Sequence, residues 1–230
     1  MDWTYHQIAK MIDHSLLKPT LTADELDVGC AVAIEYEVAS VCILPYYLET
    51  SVALLTGSGV IPSTTIGFPH GGHTTRTKLV EASEALRFGA RELDAVVNIS
   101  KVLSTDWAYV HDELRQLVAM THEADARVKV IFENCYLNDQ HKVRLCRICG
   151  ELGFDWVKTS TGYGSGGATP EDVQLMLKSV PSPVQVKAAG GIRDLDGVLR
   201  MRALGVTRIG ASATTVILDE CRRRLEESDR

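Results

Sequence analysis

The sequence predicts a (β/α)8 barrel, the TIM-barrel fold, with one extra helix at its N-terminus. Short apolar segments alternate with amphipathic segments along the chain, which is typical of parallel strands joined by helices. Eight such strand–helix units can be counted, with no linker or low-complexity stretch between them. The length of 230 residues is close to the roughly 250 of such barrels. We therefore expect residues 1–230 to form a single barrel domain.

The first half of the chain is predicted to contain the extra helix and four strand–helix units. The extra helix covers residues 4–11 and suits the bottom of the barrel. Thr22 and Glu25 form a capping box that begins the helix after the first strand. The four strands cover residues 12–17, 39–44, 60–67 and 91–97, and the helices after them begin near Thr22, Pro45, Thr74 and Asp106.

The second half repeats the same alternation. Thr169 and Pro170 mark one helix start especially clearly, because a capping threonine is followed by proline at the first helical position. The predicted strands cover residues 128–133, 154–158, 184–188 and 206–210, and the helices begin near Asp139, Thr169, Asp194 and Thr214. Residues 12–17 are the weakest of the eight strands. Without that strand the alternative is a doubly wound open sheet.

Composition and charge exclude several classes of function. The chain is 45% hydrophobic and 23% charged, as in ordinary soluble proteins. A formal net charge of −6 argues against nonspecific nucleic-acid binding, which needs a basic surface. No apolar run approaches the roughly 20 residues that span a bilayer, and residues 1–4 do not open a signal peptide. We expect a cytoplasmic protein with neither nucleic acid nor membrane as a partner.

Cysteine and histidine do not form a recognisable metal site. Cys146 and Cys149 have C-x-x-C spacing, but they lie in a helical pattern and no second ligand pair follows. We take all the cysteines as reduced thiols. His70 and His73, with His14 near the first strand, raise the alternative of a metal hydrolase. Because the carboxylates are not spaced as ligands, no metal is expected.

Lys158 is the most unusual charge in the sequence. It ends the apolar strand 154–158 and opens a loop of serine, threonine and glycine. Partial desolvation there favours the neutral, nucleophilic form of the amine, which is what a Schiff-base lysine requires. The alternative from this stretch alone is a lysine at a strand end whose ammonium group reaches solvent.

Two further charges fall at the same end of the predicted barrel, where TIM-barrel active sites lie. Lys187 ends the strand after Lys158, and Asp94 lies in the fourth strand. An ordinary lysine with a pKa near 10.4 is neutral only about once in 2,500 at pH 7. Lowering the pKa to about 7 takes roughly 4.6 kcal/mol, which burial and a neighbouring cation can supply. Asp94 would keep Lys187 protonated. The alternative is a buried ion-pair network that braces the barrel.

Glycine-rich loops follow the last three strands and predict a phosphate site. Backbone amides at helix starts bind anions, and barrel phosphate sites usually follow strands seven and eight. The candidate substrate- and phosphate-binding residues are Thr161, Gly162, Gly190, Gly191, Gly210 and Ser212.

These stretches together resemble the deoxyribose-phosphate aldolase family of class I aldolases, which are (β/α)8 barrels. Residues 158–162 (KTSTG) resemble the family's Schiff-base motif, residues 187–193 (KAAGGIR) its second-lysine motif and residues 92–98 (ELDAVVN) the strand with its catalytic aspartate. Residues 13–19 (DHSLLKP) and 67–72 (GFPHGG) also match, so the resemblance spans nearly the whole chain.

The resemblance implies an activity and a role for each residue. It implies reversible cleavage of 2-deoxy-D-ribose 5-phosphate to acetaldehyde and D-glyceraldehyde 3-phosphate, in deoxyribonucleoside catabolism, without metal or cofactor. Lys158 would form the imine, Lys187 would lower its pKa and take part in proton transfer, and Asp94 would act as acid and base with a water. The amides of the glycine loops and the Ser212 loop would bind the phosphate.

The sequence departs from the family pattern at three places. Ala213 follows Ser212 where some members have a second serine, and Tyr163 stands where phenylalanine or lysine is frequent. No tyrosine follows Tyr163, whereas some members end in a tyrosine-bearing tail. These departures bear on turnover and on the favoured substrate.

Two other functions and one assembly state remain as alternatives. A related lysine-dependent aldolase would act on another phosphorylated sugar, and a noncatalytic barrel would bind a phosphorylated sugar without forming an imine. A homodimer is a further expectation, with Trp3, Tyr46 or Tyr47 as exposed residues at its interface.

Overall fold

Eight parallel strands close into a barrel in the computed structural model, which describes residues 3–228. The strands are β1 (Ile12–Leu16), β2 (Ser40–Ile43), β3 (Ile61–Ile66), β4 (Glu92–Val96), β5 (Arg127–Ile131), β6 (Trp156–Lys158), β7 (Gln185–Ala189) and β8 (Arg208–Ala211). Their order around the barrel follows the sequence, and β1 pairs with both β2 and β8. The predicted barrel is confirmed. The doubly wound alternative is wrong because the first strand closes the sheet.

A helix follows every strand, and one helix precedes the first. The helices are α1 (Tyr5–Ala9), α2 (Ala23–Glu35), α3 (Leu48–Leu55), α4 (Thr75–Arg87), α5 (Ile99–Leu103), α6 (Trp107–Glu123), α7 (Asp139–Leu152), α8 (Pro170–Ser179), α9 (Leu195–Leu204) and α10 (Thr214–Ser228). Helix α5 was not predicted. Asn98 begins it, since the side chain of Asn98 accepts a hydrogen bond from the backbone nitrogen of Lys101.

Local sequence signals account for several helix starts. Thr22 and Glu25 form the predicted capping box, with the Thr22 hydroxyl accepting from the Glu25 backbone and the Glu25 carboxylate accepting from the Thr22 backbone. At α8 the Thr169 hydroxyl accepts a hydrogen bond from the backbone nitrogen of Asp172, and Pro170 is the first helical residue. These interactions satisfy backbone N–H groups that have no partner within the helix.

The strands separate an apolar layer outside the barrel from a polar layer inside it. Leu93 and Ala95 of β4 belong to the apolar core that packs against the helices. Asp94, between them, is buried among charged groups of other strands. Alternate residues of a strand face opposite sides, so one strand serves both layers. The register pairs Asp94 with Lys129 and Lys158 with Lys187, which brings the inward-facing charges together.

The two aromatic residues Trp3 and Tyr46, both expected to be exposed, differ in their burial. Trp3 is not an exposed interface residue, because only 8% of its surface is accessible and it packs in the core, whereas Tyr46 is 87% exposed. Residues 1, 2, 229 and 230 lie outside the described part of the chain. No helix within residues 3–228 has the length and apolar character needed to span a bilayer.

Candidate active site

Lys158 and Lys187 meet at a single oxygen atom of Asp94 inside the barrel. The Nζ atom of Lys158 lies 2.7 Å from Oδ2 of Asp94, and Nζ of Lys187 lies 2.8 Å from the same oxygen. Lys158 is 3% exposed, and the other two side chains are fully buried. The three residues predicted from the strand ends are therefore in direct contact.

Four further charged side chains extend this cluster towards the bottom of the barrel. Asp13 of β1 accepts a hydrogen bond from Lys187 and another from Arg208, at 2.6 Å. Lys129 of β5 donates to the second oxygen of Asp94 at 2.8 Å and pairs with Glu92. Arg208 also donates to both oxygens of Glu92, at 3.1 and 3.2 Å. We call these seven residues the interior cluster: Asp13, Glu92, Asp94, Lys129, Lys158, Lys187 and Arg208.

Basic side chains outnumber carboxylates in the interior cluster, and the partly exposed Arg127 adds a further cation 2.6 Å from Glu92. Three carboxylates face four basic side chains, all of them buried. An unbalanced charge in a buried site is costly, so a basic group gives up its proton. Lys158 has the fewest carboxylates around it, since it contacts Asp94 alone, while Lys187 contacts Asp13 and Asp94. The cluster therefore favours the neutral form of Lys158.

The shifts in pKa follow this difference in contacts. Burial lowers the pKa of Lys158, and the charge of Lys187 lowers it further, against the attraction of Asp94. Burial alone would also lower the pKa of Lys187, but Asp13 and Asp94 outweigh it and raise that pKa. Burial disfavours the carboxylate of Asp94, yet Lys129, Lys158 and Lys187 outweigh it and hold the pKa of Asp94 well below its usual value. The result is one nucleophilic amine beside a fixed ammonium and a fixed carboxylate.

A cavity of about 700 Å³ opens above the interior cluster at the C-terminal ends of the strands. Lys158 is the member of the cluster that lines it. All the predicted substrate- and phosphate-binding residues line it as well, namely Thr161, Gly162, Gly190, Gly191, Gly210 and Ser212. Lys18 and Arg193 add two cations to its wall. The structure thus brings the predicted nucleophile and the predicted phosphate loops to one cavity.

The loop glycines play two different parts. Gly162 and Gly191 have φ angles of 88° and 85°, and a Cβ atom at either would meet nothing within 4 Å. Their backbones are therefore open to a ligand in a conformation that glycine adopts without strain. Gly210 lies within β8, where a Cβ atom would come within 2.9 Å of the Ala189 side chain. Gly210 is required there by strand packing.

Glu133, which was not predicted as a functional residue, holds the loop after β6. Its carboxylate accepts hydrogen bonds from the backbone nitrogen of Thr161, at 3.1 Å, and from the Thr161 hydroxyl. Glu133 is buried and has a φ angle of 57°, which a non-glycine residue adopts only at some energetic cost. Both polar groups of Thr161 are engaged by Glu133, so contact between Thr161 and a substrate stays a prediction.

His14 and Cys42 are neutral groups close to the site. The Nδ1 atom of His14 lies 2.7 Å from the hydroxyl of Thr214 at the start of α10, and burial lowers the pKa of His14 to about 4. Burial raises the pKa of the Cys42 thiol to about 11, so that it is not a thiolate at neutral pH. Across residues 3–228, no group of three His, Cys, Asp or Glu side chains is arranged to hold a metal ion.

The chain is similar over nearly its whole length to known aldolases. The model of the DeoC/LacD family aldolases matches residues 7–216. The deoxyribose-phosphate aldolase of Rhodopirellula baltica is 60% identical over 97% of this chain and 93% of its own length. That of Caldanaerobacter subterraneus subsp. tengcongensis is 47% identical over 94% of each chain. A tetrameric deoxyribose phosphate aldolase from Aeropyrum pernix superposes with a TM-score of 0.89 at 31% identity, over 95% of this chain and 92% of that structure.

Proposed function

Because the chain belongs to the DeoC/LacD family of aldolases, we propose that it reversibly cleaves 2-deoxy-D-ribose 5-phosphate to D-glyceraldehyde 3-phosphate and acetaldehyde. Family membership makes the protein an aldolase, which is a lyase. One observation carries the finer proposal. A buried lysine with a lowered pKa lines the cavity and shares a carboxylate oxygen with a second lysine.

In the proposed reaction, the neutral amine of Lys158 attacks the aldehyde carbon C1 of the open-chain sugar, and loss of water leaves a protonated imine. Removal of the proton from the C3 hydroxyl breaks the C2–C3 bond. The electron pair moves towards the imine nitrogen and forms an enamine, and C3 leaves as the aldehyde carbon of D-glyceraldehyde 3-phosphate. Protonation of C2 and addition of water then release acetaldehyde and restore the amine.

The neighbours of Lys158 suit the changes in charge and protonation that these reaction steps require. Lys187 stays protonated beside the imine and lowers the pKa of Lys158. In the proposal, Asp94 relays protons through a water, with Lys187 taking part. The distances of 2.7 and 2.8 Å to a shared oxygen support this role, because they put all three groups within hydrogen-bond reach.

The phosphate is proposed to bind at the glycine-rich loops that line the same cavity as Lys158. Gly162, Gly190 and Gly191 expose backbone at the loops, Ser212 lies just before α10, and Arg193 supplies positive charge. A phosphate carries negative charge that suits backbone amides and an arginine. Deoxyribonucleoside catabolism in the cytoplasm, with these small molecules as partners, belongs to the same proposal, as does a homodimer.

Borohydride trapping with acetaldehyde tests the proposal. Reduction should leave one ethyl group on Lys158, found by intact mass and peptide mapping and absent when borohydride is omitted. The Lys158→Leu variant is the control and should gain no such group. A wild-type protein that remains unmodified would contradict the imine. The same trapping is repeated with dihydroxyacetone phosphate in place of acetaldehyde. An aldolase that acts on another phosphorylated sugar would form the adduct with dihydroxyacetone phosphate instead.

A further inference from the structure

The mouth of the barrel holds a second cavity beside the one that contains Lys158. Its volume is about 500 Å³, and its wall includes Pro69, Ile99, Leu103 and Tyr136. Among the residues that the structure describes, Tyr163 is the only one that lines both cavities. Tyr163 therefore stands at the boundary between them.

Tyr163 is fixed in this position from several sides. Its hydroxyl donates a hydrogen bond of 2.6 Å to the backbone oxygen of Leu17 after β1. Its ring meets the ring of Phe68 edge-on, with the centroids 5.5 Å apart. Its backbone nitrogen donates to the hydroxyl of Thr161, which Glu133 holds in turn. The side chain thus has partners on two other loops, and its backbone is held within its own loop, so Tyr163 forms a fixed wall even though 48% of its surface is exposed.

The two cavities differ in the chemistry that they can bind. The first has Lys158, Lys18 and Arg193 in its wall beside the carboxylates of Asp24 and Glu25, together with the open backbone of the glycine loops. No lysine or arginine occurs among the described residues around the second, which has the carboxylate of Glu133 in its wall. A phosphate buried there would meet this carboxylate and have no lysine or arginine of the lining to offset its charge. His70, Ser100 and Ser104 also line it, but its proline, isoleucine, leucine and tyrosine side chains provide an apolar surface that suits an uncharged hydrocarbon chain.

We propose that Tyr163 is a specificity-determining residue that confines the acceptor aldehyde to the first cavity. With the wall in place, the site accepts short acceptors and glyceraldehyde 3-phosphate. Without it, the second cavity takes the chain of a longer, unphosphorylated aldehyde. This inference rests on the proposed aldolase function, because the acceptor is the aldehyde that adds to the enamine on Lys158.

The test compares heptanal with propanal as acceptors for acetaldehyde. In Tyr163→Ala, the ratio of kcat/KM for heptanal to that for propanal should rise at least about tenfold, since added methylenes gain an apolar site. Tyr163→Phe is the matched control. It keeps the ring against Phe68 and should stay within about threefold of the wild-type ratio, because the ring and not its hydroxyl forms the wall.

A second substitution shows whether the second cavity is responsible. Leu103 is 49% exposed on α5 and lines the second cavity but not the first. Leu103→Trp added to Tyr163→Ala should refill the cavity and return the ratio towards the wild-type value, while Leu103→Trp alone leaves the ratio unchanged. A gain that the tryptophan does not reverse, or no gain in Tyr163→Ala, would overturn the inference.

The proposed function is checked separately in the same experiment. Cleavage of 2-deoxy-D-ribose 5-phosphate by the wild-type protein tests it without reference to Tyr163. If the wild-type protein cleaves the sugar but the ratio of kcat/KM values is unchanged in Tyr163→Ala, the role of Tyr163 is rejected and the proposed function stands. Absence of wild-type cleavage and of wild-type aldol addition rejects the proposed function, and the inference with it. Thermal unfolding of each variant verifies that the compared proteins are folded.

Discussion

Lys158 and Lys129 occupy neighbouring strands of one barrel and are both buried, yet their pKa values shift in opposite directions. Burial on its own would lower the pKa of both amines. Lys158 meets only Asp94 and lines the cavity, and its pKa stays below the ordinary value. Lys129 lies deeper, against Asp94, Glu92 and, at 3.7 Å, Asp13, and these carboxylates raise its pKa above the ordinary value. The number of nearby carboxylates, not burial, separates the nucleophile from the structural cation.

Simple electrostatics supports this conclusion. Two unit charges 4 Å apart interact by about 4 kcal/mol at an effective dielectric constant of 20. A shift of three pKa units corresponds to about 4 kcal/mol. One additional carboxylate at that distance therefore raises the pKa of a lysine by about three units, in opposition to the effect of burial.

The largest expected effect is on catalysis in Lys158→Met. Cleavage of 2-deoxy-D-ribose 5-phosphate should slow by about 10⁴-fold or more, because the nucleophile is lost. The temperature of unfolding should stay equal or rise, since methionine fills similar space without a buried amine. Steady-state kinetics and calorimetry measure the two quantities. Activity within a hundredfold of wild type would show that another group performs the chemistry.

Lys129→Met should show the complementary result. Removing this cation breaks two buried ion pairs, one with Glu92 and one with Asp94. Glu92 keeps Arg208 and Arg127, and Asp94 keeps Lys187, so we expect a loss of about 3 kcal/mol of folding free energy, the low end for a broken buried pair. Urea unfolding measures this loss, with Lys158→Met as the matched control on the neighbouring strand. Equal stability of the two variants would contradict the distinction between the two lysines.

His14 extends the comparison to a buried base with no carboxylate partner. Burial lowers its pKa from 6.5 to about 4. The unfolded chain binds the proton first as pH falls, so this contribution is complete above pH 6.5 and is lost towards pH 4. The loss is about 3 kcal/mol. The free energy of unfolding, measured with urea, should fall less steeply between pH 7 and pH 4 in His14→Gln than in the wild-type protein. Parallel curves for the two proteins would refute the prediction.

The smallest expected effect is a shift in pH dependence in Lys187→Met. Loss of the neighbouring ammonium raises the pKa of Lys158, and Asp94 then attracts the Lys158 ammonium more strongly. The acid limb of kcat/KM should move to higher pH by about one unit. If the rate falls but the acid limb of the kcat/KM profile stays at the wild-type pH, Lys187 takes part in proton transfer and does not lower the pKa of Lys158.

Much of this site was predictable because its charges interrupt apolar strands. Lys158 ends β6, whereas Asp94 and Lys187 stand in the middle of β4 and β7, one step deeper than the strand ends that identify the functional face of a barrel. Lys129 gave a comparable signal within an apolar strand, but its role depends on the register with β4, which pairs it with Asp94. Register and side-chain contacts are set by packing across the barrel and cannot be derived from one strand alone.

Other features lacked a local signal altogether. Helix α5 has only five residues, too few for a helical period to appear. The side chain of Glu133 is engaged by Thr161, which lies far along the chain. Trp3 resembled an exposed residue near the chain end, but the core covers it. Each of these outcomes depends on tertiary contacts.

Titration of the lysine side chains by NMR tests the central claim most directly. Protein labelled with ¹³C at the lysine Cε reports the protonation of each amine, and Lys158→Met, Lys187→Met and Lys129→Met assign the three resonances. The resonance of Lys158 should titrate below the ordinary lysine value of about 10.4, while those of Lys187 and Lys129 stay protonated through that pH. A Lys158 that remains protonated up to that pH, together with its two neighbours, would contradict the assignment of the nucleophile by its scarcity of carboxylates.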